Sequence, residues 1–129
     1  MNVGPTVFVV DDDVAVLDSL ATMLANQQFH VECYPSAEQF LQNVGEDREG
    51  CLLLDIRMPG LNGLDLLQRL RRNNALRPTV ILSGYADTPT VVKAIKYGAM
   101  NFLEKPVPPQ ELIQAIHDAL EQDRKHRSS

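Results

Sequence analysis

Hydrophobic positions along this chain switch repeatedly between a strand pattern and a helix pattern. Thr6 to Val10 is β-branched and aromatic without a polar break, too apolar for a half-exposed strand. Val14, Leu17, Leu20, Ala21 and Leu24 then recur at helical spacing, with Asp13 placed to cap the helix. Phe29 to Tyr34 reads as a second strand closed by Pro35. Ser36-Ala37-Glu38-Gln39 fits a capping box for a short helix that buries Ala37, Phe40, Leu41 and Val44 and stops at Gly45. Cys51 to Asp55 is apolar on both faces, as in the middle of a parallel sheet. A loop through Pro59, Gly60, Asn62 and Gly63 leads to a helix with Leu64, Leu67 and Leu70 inward. Pro78 to Ser83 is the fourth strand, broken by Gly84. A weaker helix over Pro89 to Tyr97 is expected to bury Val91, Val92 and Ile95 before Gly98 ends it. Met100 to Glu104 is the fifth strand, and Pro108 and Pro109 open a last helix striped by Leu112, Ile113, Ile116 and Leu120.

Strand and helix in strict alternation imply an α/β fold with a parallel sheet, right-handed crossovers and helices on both faces. The natural solution at 129 residues is a flavodoxin-like (βα)5 three-layer sandwich, its parallel five-stranded sheet ordered 2-1-3-4-5. Pattern alone does not fix that order. The chain reads as a single domain over 1–129, with a core from about residue 6 to 122. Residues 123–129 are expected to be a solvated helix end or the start of a linker.

Composition narrows the classes of function. Apolar residues at 44% and charged residues at 22% exclude a disordered or collagen-like chain. No apolar run approaches the roughly 18 residues of a membrane span. Met1 to Pro5 lacks the basic start and apolar centre of a signal peptide. Cys33 and Cys51 have no metal spacing and are too few for a disulfide framework. Together these point to a cytoplasmic location with no membrane partner. A net charge of −5 argues against a direct grip on nucleic acid.

In an open parallel sheet, ligands bind beyond the carboxyl ends of the strands. There the first strand ends in Asp11-Asp12-Asp13, the third in Asp55, the fourth in Ser83-Gly84 and the fifth in Lys105-Pro106. Asp11, Asp12 and Asp55 crowded together repel unless a cation joins them. An all-oxygen donor set at a shallow rim suits Mg²⁺, or Mn²⁺, shared with phosphate. A carboxylate poised there beside an ammonium and a hydroxyl is suited to accept a phosphoryl group: Asp55 attacks in line, while the metal and Lys105 neutralise the phosphoryl oxygens and Ser83 contacts them. Taken singly, each residue has an ordinary explanation. Asp13 is a helix cap, Ser83-Gly84 a turn and Lys105 a solvated lysine; the joint placement on one rim is what points to chemistry.

That ensemble resembles the receiver domains of bacterial response regulators, a fold whose chemotaxis member is a standard example of this strand order. The matching pieces are Val9-Val10-Asp11-Asp12, Leu54 to Gly60 with Gly63, Ile81-Leu82-Ser83-Gly84 and Lys105-Pro106, over about Thr6 to Gln122. The resemblance implies Asp55 as phosphoacceptor, Mg²⁺ held by Asp11, Asp12 and Asp55 with the Arg57 backbone carbonyl, and Ser83 and Lys105 on the phosphoryl group. It also implies a cis Lys105-Pro106 bond, a switch formed by Ser83 and Phe102, and tuning of phosphoryl lifetime by Arg57, Gly84 and Tyr85. The implied partner is a sensor histidine kinase, and the face of the fourth helix, fifth strand and fifth helix is the implied output, with self-dimerisation through it.

More narrowly, Ser83 to Asp87 together with Ala99 to Pro106 is similar to the FixJ-like receivers, which precede a helix-turn-helix transcription domain. Nothing after Gln122 resembles such a domain, so DNA is expected to be reached only through an output domain outside this sequence. The alternatives are a stand-alone receiver or an unphosphorylated interaction module. A phosphatase of the haloacid-dehalogenase type needs a second Asp two residues after the nucleophile, where Arg57 stands. A nucleotide-binding loop is missing after the first strand. None of His30, His117 and His126 lies in a phosphotransfer or metal motif, which makes the chain an acceptor and not a donor.

Overall fold

In the computed structural model, which describes residues 4–128, the alternating pattern becomes β1 (Thr6–Val10), α1 (Val14–Asn26), β2 (His30–Tyr34), α2 (Ala37–Asn43), β3 (Gly50–Leu54), α3 (Gly63–Arg72), β4 (Thr79–Ser83), α4 (Thr88–Lys96), β5 (Asn101–Glu104) and α5 (Pro109–Ser128). Met1, Asn2 and Val3, which open the segment weighed above as a leader, and Ser129 lie outside the described residues. The strands pair in parallel in the order β2-β1-β3-β4-β5. The three inner strands β1, β3 and β4 are buried at every residue, which is why their sequences are apolar on both faces.

Side chains of successive strand residues point to opposite faces, and the sheet sorts them into two cores. Val7, Val9, Cys51, Leu53, Val80, Leu82 and Leu103 pack under Leu17 and Leu24 of α1 and Leu112, Ala115, Ile116 and Ala119 of α5. Phe8, Val10, Leu52, Leu54 and Ile81 face Ala37 and Phe40 of α2, Leu66, Leu67 and Leu70 of α3, and Ala94 of α4. Side-chain caps start the helices: Asp13 accepts from the Ala15 N–H at 3.0 Å, Ser36 from Gln39 at 3.1 Å, Asn62 from Asp65 at 3.0 Å and Asp87 from Thr90 at 2.9 Å.

Two expectations about helix faces are corrected and a third is extended. In α4, Val92 and Ile95 are 52% and 49% exposed, and Ala94 is the buried residue, with Val91 half-buried. Val91 and Ala94 share one face at i, i+3 spacing, and the small alanine lets the helix sit close to its neighbours; Val92 and Ile95 lie one position further round. Val14 is 62% exposed, because it stands at the first position of α1, beyond the sheet edge. Leu66, not only Leu67 and Leu70, is buried in α3.

The last helix also departs from expectation. It passes Gln122, where the core was expected to end, and continues to Ser128, and Asp123 is only 4% exposed. The Asp123 carboxylate accepts from the Gly50 N–H at 2.9 Å and from Arg127 Nε at 2.8 Å. Arg127 in turn donates to the carbonyls of Asp47 at 3.2 Å and Arg48 at 2.8 Å. The end of α5 is thereby clasped to the start of β3, at the sheet edge opposite the acids. Asp123→Ala would leave the buried Gly50 N–H without its acceptor, a loss of about 2–3 kcal/mol. Urea unfolding should give a clearly lower midpoint for that variant, whereas Arg124→Ala, which breaks an exposed pair with Glu121, should match the parent. Equal midpoints for the two variants would refute the clasp.

Candidate functional site

At the carboxyl edge of the sheet, β1 and β3 end side by side, because Val10 pairs with Leu54. The next residue on each strand is acidic. Asp55 N–H donates to the Val10 carbonyl at 3.0 Å and Asp11 N–H to the Tyr34 carbonyl at 3.2 Å, so both backbones are locked into the ladder as they leave the sheet. One carboxylate oxygen from each of Asp11, Asp12 and Asp55 lies within 4.8 Å of the others. Asp11 is buried, Asp55 half-buried and Asp12 exposed.

Asp11 is held from two sides. Its Oδ1 accepts from the Asp13 N–H at 2.9 Å, and its Oδ2 meets Lys105 Nζ at 3.2 Å. Lys105 arrives from the end of β5, where its own N–H donates to the Ser83 carbonyl at 2.8 Å, and the Lys105-Pro106 bond is cis. Burial, and after it the Asp11 carboxylate, push the Asp55 carboxyl above its ordinary value, against the pull of Lys105 and of the Arg57 N–H.

Three carboxylates answered by one ammonium leave the rim electron-rich, and every donor there is oxygen. That set fits a hard divalent cation such as Mg²⁺ or Mn²⁺, which keeps several waters and binds through few carboxylates. Asp11, Asp12 and Asp55 are the residues able to hold it.

The remaining predicted site residues surround this cluster without joining it. The buried Ser83 hydroxyl donates to the Tyr85 carbonyl and accepts from the Tyr85 N–H, both at 3.1 Å. Phe102 on β5 is half-buried against the α2–α3–α4 side of the core. Gly84 is exposed, with nothing within 4 Å of where a Cβ would stand, so this approach to the rim is open. The Arg57 guanidinium stacks on Tyr85, 3.7 Å from the centre of its ring. The Asp87 carboxylate, the cap of α4, stands near enough to the Tyr85 hydroxyl to push its pKa upward. The resemblance implies tuning roles for Arg57 and Tyr85 without a contact between them. Their stacking joins the loops after β3 and β4, and no spacing in the sequence signals it.

A family model for the response regulator receiver domain matches residues 7–117. This chain belongs to that family. The receiver is 41% identical to the response regulator protein TodT of Pseudomonas putida over 123 residues, covering 95% of this chain and 54% of TodT. It therefore spans about half the length of that relative. Among solved structures, the response regulator StyR matches with a TM-score of 0.91 at 39% identity, covering 97% of this chain and 63% of that one. FixJ-N matches with a TM-score of 0.85 at 40% identity, covering 94% and 96% of the two chains. The expected flavodoxin-like architecture and the FixJ-like character of the receiver both stand, and the family places it among the signalling modules of two-component systems. No helix among the described residues is long and apolar enough to cross a membrane.

The raised Asp55 carboxyl carries a sign that can be tested. Between its ordinary and its raised value the folded receiver binds more protons than the unfolded chain, so this group's contribution to stability falls as pH rises through that window. With metal chelated, Asp55→Asn should unfold at higher urea than the parent at neutral pH. The gap should close as pH falls toward the ordinary carboxyl value. Paired urea melts across that range check it, and a gap that widens toward acid would contradict the assignment.

Proposed function

We propose that this receiver takes a phosphoryl group onto Asp55 from a sensor histidine kinase and uses it to switch an output surface. The observation that carries the reading is the cluster of Asp11, Asp12 and Asp55 with the Lys105 ammonium on Asp11. Such a cluster is costly to the fold, since like charges at that spacing repel, and it is suited to receiving a phosphoryl group together with a cation.

In this reading an Asp55 carboxylate oxygen attacks the phosphorus atom. The new O–P bond forms as the P–N bond to the kinase imidazole breaks, with the electron pair leaving on that nitrogen. Mg²⁺ or Mn²⁺, when bound by Asp11, Asp12, Asp55 and the Arg57 backbone carbonyl, supplies positive charge to the phosphoryl oxygens. Lys105 turns its ammonium from Asp11 to a phosphoryl oxygen, a short movement of a flexible stem. Ser83 exchanges its bonds to the Tyr85 backbone for one to the phosphoryl group. Phe102, already half-buried, moves into the space that Ser83 vacates. Gly84 leaves room for the donor, and Arg57 stacked on Tyr85 governs how readily water reaches the acyl phosphate.

The face that responds is α4–β5–α5. Exposed Val92, Ile95 and Met100 give it apolar surface for self-dimerisation. This chain covers only 57% of its relative the transcriptional regulatory protein FixJ of Bradyrhizobium diazoefficiens, which supports a transcriptional output domain as the module controlled and the route by which DNA is reached. The location proposed is the cytoplasm.

The test is intact mass after incubation with acetyl phosphate and Mg²⁺. The parent should gain one phosphoryl group, and Asp55→Asn, or the parent in EDTA, should gain none. No gain in the parent, even with rapid quenching, would leave a receiver fold used as an unphosphorylated interaction module.

A further inference from the structure

The loop from Asp55 to Gly63 presents the groups on which the proposed chemistry depends, and its two parts are held differently. Its inner end is closed by contact. The Gly63 N–H donates to the Ile56 carbonyl at 2.9 Å, and a Cβ on Gly63 would stand 2.5 Å from the Asp55 carbonyl oxygen, so no larger residue fits there. Ile56 and Met58 are buried, but Arg57, Pro59 and Gly60 are exposed.

A side chain from another element reaches that exposed crest. Glu38, in the first turn of α2, accepts from the Leu61 N–H at 3.1 Å. The same oxygen, Oε2, would lie 2.9 Å from a Cβ on Gly60, a residue at φ +74°. Only glycine takes that backbone angle without strain and also leaves the carboxylate room against the turn. The root of this side chain is rigid: α2 is capped by Ser36 and buries Ala37 and Phe40 completely in the core. Its own N–H and that of Leu61 hold the Glu38 carboxyl below the ordinary range, so it stays an acceptor at neutral pH.

We propose that Glu38 is a positioning residue for the Asp55 site, tethering the crest of this loop to α2 and thereby fixing where the Arg57 carbonyl and the Asp55 carboxylate stand relative to Asp11 and Asp12. The proposal rests on the reading of those residues as a cation-assisted phosphoacceptor site. A hydrogen bond to an exposed carboxylate ordinarily does little for stability. Here its effect falls on geometry, because oxygen ligands on a mobile loop lose affinity when the groups behind them are released.

The experiment measures Mg²⁺ binding by calorimetry, amide exchange at Leu61, and phosphorylation by acetyl phosphate as a function of Mg²⁺ for the parent, Glu38→Ala, Glu38→Gln and Gly60→Ala. Glu38→Ala should exchange faster at Leu61 and bind Mg²⁺ about threefold or more weakly, a modest case of what loss of a supporting group does to a metal site. The Mg²⁺ needed for half-maximal phosphorylation should rise in step, with the rate at saturating Mg²⁺ moving less. Glu38→Gln keeps an oxygen for the Leu61 N–H and should restore most of the affinity. Gly60→Ala pushes the carboxylate away from the other side and should weaken binding as Glu38→Ala does. A parent that binds no Mg²⁺ would sink the reading of the site and this proposal with it. A parent that binds Mg²⁺, beside a Glu38→Ala variant with the same dissociation constant, would sink the proposal alone.

Discussion

The carboxyl edge of this sheet depends on one ammonium. Asp11, Asp12 and Asp55 crowd together because β1 and β3 are neighbours in register, and their mutual repulsion opposes the pairing that brings them there. Lys105 answers it from β5, across the ends of β3 and β4, by meeting buried Asp11. The contact requires the strand order 2-1-3-4-5, since Lys105 follows β5 directly and its backbone is pinned to the last residue of β4. Strand order, local charge and site geometry are therefore one constraint viewed at three scales. The Asp55 carboxyl is pushed upward within that balance, by burial and then by the anionic Asp11, against the pull of Lys105.

Around that centre, polar groups are satisfied by short-range partners that can be exchanged. Ser83 closes a ring of bonds with the Tyr85 backbone, and Arg57 rests on the Tyr85 face. Neither arrangement leaves a buried polar group unmet, and in the proposed function each would give way to a bond with the phosphoryl group.

The strands were legible because an inner parallel strand must be apolar on both faces, and no other element produces Val7-Phe8-Val9-Val10 or Cys51 to Leu54 between turn signals. Asp11, Asp55 and Ser83 were legible because each directly follows or ends such a strand, and Lys105 because it directly follows the edge strand β5. The inward face of α4 was not. Val91, Val92, Ala94 and Ile95 offer two adjacent helical phases, and the pattern favours the one with the larger side chains. Packing chose the phase with Ala94, which permits close approach. Asp123 and Glu38 were illegible for a different reason. Each is an acid among polar neighbours on a helix, and its partner is a backbone N–H distant in sequence: Gly50 for the one, Leu61 for the other. Only the folded chain brings such pairs together, and nothing in residue type or spacing marks a backbone donor.

These contacts divide the helices beside β5 into a firm one and a loose one. α5 begins just past the cis Lys105-Pro106 bond at the carboxyl edge, and its far end reaches the amino edge, where Asp123 and Arg127 clasp the start of β3. Between them Leu112, Ala115, Ile116 and Ala119 are packed into the core. α4 buries Ala94 fully and Val91 only in part, leaves Val92 and Ile95 in solvent, and has its cap Asp87 beside Tyr85, on which Arg57 stacks. A rearrangement at the rim thus meets high resistance along α5 and low resistance along α4. In the proposed switch, displacement would follow the weaker contacts, which makes α4 the element expected to move while α5 holds its orientation to the sheet.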